Sequence, residues 1–283
     1  MARSWTDILI IERAVRNYAF DMKQNHVHDF YEIYYMLAGE RYYFIKDRTY
    51  HVQKGDLVFI NKNELHKTTQ AGNPYHERIL IQFPASIISD IGPDPSELDL
   101  FEVFGDIPLF RLDVNQQAWV ESIFDKMLQE RNANQPGSYA YARLLLVELL
   151  IFIARLNRQR ERASEGFPNA RHRQISEIVR FINTHYQERL TLDQLSRKFH
   201  LSPSHLSRMF KEVTGFGVNE FVNHVRIKEA QRLLRTTRCR ITEIAERTGY
   251  DNVTHFGRVF KKMTGFSPSR YRKTSAEASE WKG

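Results

Sequence analysis

The chain has 283 residues, roughly two domains by the usual prior of about 100–200 residues each, and can bury a sizeable core. Hydrophobic residues at 42% and charged residues at 27% exclude fibrous, collagen-like and globally disordered chains. The formal charge of +7 is unevenly divided: residues 1–170 hold 19 Lys+Arg against 23 Asp+Glu, giving −4, and residues 171–283 hold 22 against 11, giving +11, which points to a polyanion at one end.

The N-terminus mixes Arg3, Asp7, Glu12, Arg13 and Arg16 with its apolar residues and offers no uninterrupted signal core, which argues against secretion. Cys239, the single cysteine, excludes an intramolecular disulfide, and with Arg238 and Arg240 beside it makes no metal site; a cytoplasmic location is expected. Aromatic and β-branched residues then cluster into short strands at Tyr31–Leu37, Arg41–Ile45, Thr49–Val52, Leu57–Ile60 and Arg78–Phe83. Gly39, Asp47, Lys54-Gly55 and Asn61-Lys62-Asn63 supply the breaks. Strands this short and evenly spaced predict a small antiparallel sandwich or barrel over residues 1–112. Alternation in the first of them puts Glu32, Tyr34 and Met36 on one face and Tyr31, Ile33, Tyr35 and Leu37 on the other.

Residues 113–156 change to helical spacing, with Trp119, Ile123, Phe124, Met127 and Leu128 in one helix and Tyr139–Leu156 in a second that is apolar nearly all round. That second helix must be covered by the barrel and its partner helix or by another subunit, and both readings stand. Its longest apolar run, Leu144–Ala154, is interrupted by Glu148 and too short for a membrane span, which needs roughly 20 residues. Residues 157–171, with Gly166 and Pro168, have the composition of an exposed linker, and the domain boundary is placed there.

The basic portion contains a duplication. His205–Phe216 and His255–Phe266 share seven of twelve residues at an offset of 50. Each copy follows a short helical pattern, Leu192, Leu195 and Phe199 in one and Ile241, Ile244, Ala245 and Thr248 in the other. Thr191-Leu192-Asp193-Gln194 is a capping-box pattern, Ser202-Pro203 opens the next helix, and Gly215 can close it in the left-handed conformation. A short helix, a turn and a second helix is the layout of a helix-turn-helix, here present twice. Val218, Phe221, Val222, Val225, Ala230, Leu233 and Leu234 define a connecting helix of about 20 residues, roughly 30 Å long and close to one turn of B-DNA.

Residues 172–275 resemble the DNA-binding domain of the AraC family of transcriptional regulators, and residues 276–283 form a tail. The resemblance is carried by Arg226, Ala230 and Leu233-Leu234, and by Ile244-Ala245, Gly249-Tyr250, Phe256, Arg258-Val259-Phe260-Lys261, Gly265, Ser267-Pro268 and Tyr271-Arg272. It implies a core role for Leu206, Phe210, Ile244, Ala245, Phe256 and Phe260. It implies that Pro203, Ser204, Ser207 and Arg208 in the first head, and Asn252, Thr254, His255 and Arg258 in the second, sit nearest the bases. Arg can bond guanine and Asn adenine in bidentate fashion, while Arg208 and Arg258 equally suit phosphate. Lys211, Lys261 and Lys262 are read as backbone contacts, which position rather than specify.

In the N-terminal portion, His26-Val27-His28 is followed by Glu32 and Gly39, then by Gly55-Asp56 and His66. This resembles the cupin barrel, whose His, His, Glu and His can bind a divalent metal, here His26, His28, Glu32 and His66. The departure is Asn61 and Asn63, where the second cupin motif usually carries proline and glycine. AraC-type sensor domains often keep the pattern without metal, so no cofactor is expected; His28, Glu32 and His66 are read as a hydrogen-bonded network at the mouth of an effector pocket, and His26, His28, Glu32, Tyr34 and His66 as the effector-binding residues. Such a pocket suits a small polyol or sugar, and equally other small metabolites.

The expected whole is a multidomain α+β protein: a cupin-like β-barrel with flanking helices, then an all-α domain with two helix-turn-helix motifs joined by a long helix. Its expected function is that of a non-enzymatic, homodimeric regulator that binds double-stranded DNA and a small-molecule effector, with RNA polymerase a further partner and no membrane. Activation follows from the resemblance, and carbohydrate-metabolism genes as its target from the sugar-suited pocket. The rivals are a cupin metalloenzyme with a basic accessory domain and a constitutive DNA-binding dimer without effector.

Overall fold

A computed structural model describes residues 8–18, 28–105, 108–159 and 169–273. The chain forms two compact units, residues 1–169 and 170–283.

The first unit contains strands β1 (Ile10–Arg16), β2 (Tyr31–Ile45), β3 (Arg48–Gln53), β4 (Asp56–Ile60), β5 (His66–Gln70), β6 (His76–Phe83) and β7 (Leu109–Arg111), then helices α1 (Val114–Ala133) and α2 (Ser138–Gln159). All ladders are antiparallel. The order is β1-β6-β2-β4-β7, with β3 and β5 both pairing to β2. The expected break at Gly39 does not exist. The two strands drawn on either side of it are one 15-residue strand, whose first half belongs to one sheet and whose second half pairs with β3 and β5. Gly39 permits this with φ +83°, in a position where a Cβ would lie 2.4 Å from the Tyr75 carbonyl oxygen.

Just before it, the register of β2 against β6 jumps between Met36 and Ala38, leaving Leu37 as an extra residue. That bulge inverts the strand. Before it the even residues Glu32, Tyr34 and Met36 face the interior; after it the odd residues Arg41, Tyr43 and Ile45 do, opposite Val52, Thr68 and His66. Tyr34, Met36, Tyr43, Ile45, Val52, Val58, Ile60 and Leu109 cluster on the interior side. The outer face of the main sheet, with Ile33, Tyr35, Phe59, Ile79 and Ile81, packs against Val120, Phe124 and Met127 of α1 and Leu146, Leu149, Leu150 and Ile153 of α2. Packing within the unit therefore accounts for most of α2, and Tyr141 and Leu144 remain on its exposed side. Strands β1, β5 and β7 were not expected. IIERAVR is half charged, HKTTQ contains no apolar residue, and LFR is three residues long, so all three depend on their neighbours rather than on local pattern.

The second unit is helical: α3 (Ala170–His185), α4 (Leu192–Lys198), α5 (Pro203–Thr214), α6 (Val218–Thr236), α7 (Ile241–Arg247) and α8 (Val253–Thr264), with a further helical segment at 268–273. Helix α3, for which no helical pattern was read, buries Ile175, Ile178, Val179 and Ile182. Thr191 and Gln194 form the capping box of α4, and Ser202 caps α5 with Pro203 in its first turn. The connecting helix α6 has 19 residues, about 28 Å at 1.5 Å per residue, and buries Ile227 where the pattern had placed Val225.

The duplication holds at the level of single atoms. Gly215 and Gly265 end α5 and α8 with φ +85° and +78°. In both copies a threonine, Thr214 or Thr264, donates to the carbonyl of the preceding phenylalanine and accepts from the amide of the following one. The copies differ at their ends: Val213 and Phe216 are each 5% exposed, while Met263 and Phe266 are 40% and 38% exposed. Phe221 of α6 packs on Phe210 and Phe216 and closes the first copy.

Candidate functional site

Helices α5 and α8 are the second helices of the two helix-turn-helix motifs. Each is amphipathic. Leu206, Phe210, Phe256 and Phe260 are fully buried, as are Ile244 and Ala245 of α7. On the opposite faces, Pro203, Ser204, Ser207, Arg208 and Lys211 are exposed or partly so, together with Asn252, Thr254, His255, Arg258 and Lys261. The two faces thus present a similar pattern of small, polar and basic groups over apolar packing. Asn252 has a second task, because its side-chain oxygen accepts from the amides of Thr254 and His255 at 2.8 and 3.0 Å and caps α8. A bidentate bond to adenine requires it to leave that cap. In the first head, Arg208 lies 3.5 Å from the His205 ring, one turn back.

In the first unit, β2, β5 and β6 bring a polar cluster together inside the barrel. Glu32, 4% exposed, accepts from the Tyr43 hydroxyl at 2.9 Å and from Gln82 Nε2 at 2.8 Å, and lies 3.2 Å from His28 Nε2 and 4.0 Å from His66 Nε2. Burial alone would push the Glu32 carboxyl up; the bonds from His28 and Gln82 and the field of His66 outweigh it and hold it at about 2. Tyr43 is pushed well up by burial and by Glu32. Tyr34 packs edge-on against Tyr43 at 5.3 Å. The cluster thus joins His28, Glu32 and His66, with Tyr34 one ring removed; His26 lies outside the described residues.

Residues 7–150 match the family described as the AraC-like ligand-binding domain, and residues 195–274 match a helix-turn-helix domain family. The chain belongs to the AraC family of transcriptional regulators. It is similar to the HTH-type transcriptional activator RhaR of Shigella dysenteriae serotype 1, 25% identical over 92% of this chain and 90% of that one. The RhaR of Shigella flexneri is 23% identical with the same coverage. Among solved structures, the C-terminal domain of AraT, a response regulator from Geobacillus stearothermophilus, is 34% identical over 38% of this chain and 88% of its own, with a TM-score of 0.36. ToxT from Vibrio cholerae is 15% identical over 94% of this chain and 97% of its own, with a TM-score of 0.38.

An AraC-family chain with this arrangement is a DNA-binding regulator that responds to a small molecule: a ligand-binding unit carrying a charge of −4 precedes a helix-turn-helix unit carrying +11. Among the described residues, no helix is long and apolar enough to cross a membrane. The ligand-binding unit also has the donor set for a divalent metal. One ligand atom each from His28, Glu32 and His66 lie within 4.8 Å of one another. The Nδ1 atoms of His28 and His66 face the Phe30 and Glu64 carbonyls at 3.0 and 2.9 Å, the outer-shell arrangement that orients metal-ligating histidines. The residues fit such an ion chemically, although both Glu32 oxygens already accept hydrogen bonds from the protein.

Tyr43, Gln82, Arg41 and Arg78 share this interior and were not singled out in the sequence. Each stands on an inward position of β2 or β6, opposite a residue of the interior cluster or of the Glu32 network. The available signal was Arg41 at the head of an aromatic strand, but the bulge at Leu37 breaks the alternation that would have carried the inward face from Glu32 to it.

Proposed function

We propose that the chain is a cytoplasmic, homodimeric, non-enzymatic transcriptional activator whose ligand-binding unit takes a small polar effector, a sugar being the class its hydroxyl-bonding interior suits, and whose helix-turn-helix unit recognises the operator. The observation that carries this is the atomic repetition of α5 and α8, each turning small, polar and basic side chains outward. The RhaR relatives are transcriptional activators, which supports activation and a contact with RNA polymerase. Pro203, Ser204, Ser207, Arg208, Asn252, Thr254, His255 and Arg258 are the base-proximal set, with Lys211 and Lys261 on phosphates. The ligand-binding and dimerising region spans 1–156, the linker 157–171 and the DNA-binding region 172–275.

The test is operator binding across a salt series. Arg258→Ala should weaken operator binding by about 10- to 100-fold and relax selectivity at one base pair. Lys261→Ala should weaken specific and non-specific DNA alike and reduce the salt slope by about one. Operator binding unchanged by both removes the second head from the interface.

The cluster of His28, Glu32 and His66 favours one second reading, a metal-dependent barrel. These three residues would hold an ion such as iron, manganese, zinc or nickel, which would supply Lewis-acid chemistry. On the effector reading, protein purified without chelators carries no stoichiometric metal and His28→Ala leaves its metal content unchanged. One metal per chain, lost in His28→Ala, supports the second reading.

A further inference from the structure

The interior of the ligand-binding unit has two chemically different ends. At one, Glu32 gathers Gln82, Tyr43, His28 and His66. The other is cationic. Arg78 stands opposite Met36 of the interior cluster, four residues from Gln82 on β6 and so about 13 Å along the strand. Arg41 stands on an inward position of β2 opposite Val52, and Arg16 of β1 stands opposite His76. Arg78 is 9% exposed, a depth at which every guanidinium N–H is costly to leave without an acceptor.

Arg16 and Arg41 have other interactions within the protein; Arg78 has a group left over. Its Nη2 reaches Glu12 at 3.5 Å, and that carboxylate is 47% exposed at the edge strand. Its Nη1 is buried with no hydrogen-bond partner among the described residues, and its guanidinium carbon sits 5.9 Å from the Tyr34 ring centroid. A buried N–H left without an acceptor is costly, and a native protein keeps one where something else fills it. Burial, then Arg78, lowers the pKa of Arg16; burial lowers that of His76 against the bond to the Pro74 carbonyl, and Arg41, Arg16 and Arg78 add to the lowering. An anion at Arg78 Nη1 would satisfy that group and offset the positive field at Arg16, and the planar fork of a guanidinium matches a carboxylate or a phosphate.

We infer that the effector bears an anionic group, a carboxylate or phosphate, held by Arg78, and a hydroxyl-bearing body that runs along Tyr34 and Tyr43 toward Glu32. The class is a sugar acid or sugar phosphate rather than a neutral sugar. This rests on the reading that the barrel interior takes the effector.

The experiment is thermal unfolding of the full chain, wild type, Arg78→Gln and Arg41→Gln, at constant ionic strength. The probes are inorganic phosphate against chloride, gluconate and glucuronate, glucose 6-phosphate, and glucose as the neutral control. Anionic probes should raise the wild-type Tm, by about 5 °C or more at a hundred times Kd, and leave Arg78→Gln with little or none of the rise. Carboxylates acting without glucose 6-phosphate identify the acid, and the reverse identifies the phosphate. Glucose acting alone, and equally on wild type and Arg78→Gln, overturns the anionic class while leaving the effector reading intact. If phosphate and every organic anion act equally on wild type and both variants, or on none, the arginine cluster is not an anion site. In that case an operator-reporter response to added metabolites decides the effector reading separately.

Discussion

Replacing Arg226 by alanine is expected to destabilise the DNA-binding unit by about 3–5 kcal/mol, more than any substitution on the exposed faces of α5 and α8. Arg226 stands in the middle of α6. Its Nε donates to the Tyr186 carbonyl at 2.7 Å and its Nη2 to the Glu188 carbonyl at 2.8 Å, while the guanidinium lies 5.3 Å from the Tyr250 ring centroid. Tyr250 in turn donates to Asn223 at 3.0 Å. One side chain therefore ties the segment leading into α4 to the turn between α7 and α8. The packing is close enough that a Cβ on Gly249 would lie 2.8 Å from the Tyr186 and Gln187 carbonyl oxygens and 2.9 Å from Arg226 Nη2. Charged hydrogen bonds to backbone carbonyls are worth about 1.5–3 kcal/mol each, and truncation leaves two carbonyls to find new donors. Hydrogen exchange of the α4 and α8 amides reads the loss, and Arg226→Lys should fall between alanine and wild type because an ammonium cannot fork. A loss under about 1 kcal/mol would show that water replaces the guanidinium at no cost.

The same unit should lose up to about 3 kcal/mol of stability between pH 6.5 and pH 4, through His224. Burial, with a smaller push from Lys228, lowers the His224 pKa to about 4, and its Nε2 has no hydrogen-bond partner among the described residues. The unfolded chain takes up this proton near pH 6.5 and the folded unit refuses it until about pH 4. Stability is therefore complete above pH 6.5 and falls progressively as the solution is acidified. His172, pushed down by burial and by Arg171, contributes with the same sign. Urea midpoints at pH 7.5, 6 and 5 check this, and His224→Gln should flatten most of the slope. Equal slopes in wild type and variant would assign the acid sensitivity elsewhere.

The helix-turn-helix unit was legible from sequence because its signals are local: a twelve-residue repeat, caps at Thr191 and Ser202, and apolar residues at helical spacing. Leu206, Phe210, Phe256 and Phe260 went to the core for that reason. The unequal burial of Phe216 and Phe266 was not legible, since both copies are followed by an aromatic that packs on the helix, Phe221 on Phe210 and Tyr271 on Phe260, and the difference lies in Phe221 also meeting Phe216. In the barrel, the inward side of Glu32, Tyr34 and Met36 could be read by alternation, and so could the meeting of His28, Glu32 and His66 through the cupin resemblance. Strands whose partners are distant in sequence could not. HKTTQ becomes β5 because the second half of β2 offers it a ladder, and nothing in its own composition shows that. Arg41 and Tyr43 escaped for one reason, that a single extra residue shifts the parity of the strand.

That extra residue has an evolutionary consequence. Every inward side chain of β2 beyond Leu37 owes its position to the insertion, so deleting one residue there would turn Tyr42 and Phe44 into the barrel and Arg41 and Tyr43 out of it. Changes of side chain at fixed length alter the barrel lining one residue at a time, whereas a change of length rewrites the whole lining beyond Leu37 in one step. Point substitutions at the odd positions from 41 to 45 therefore alter that lining singly, with the spacing around Leu37 and Gly39 held constant.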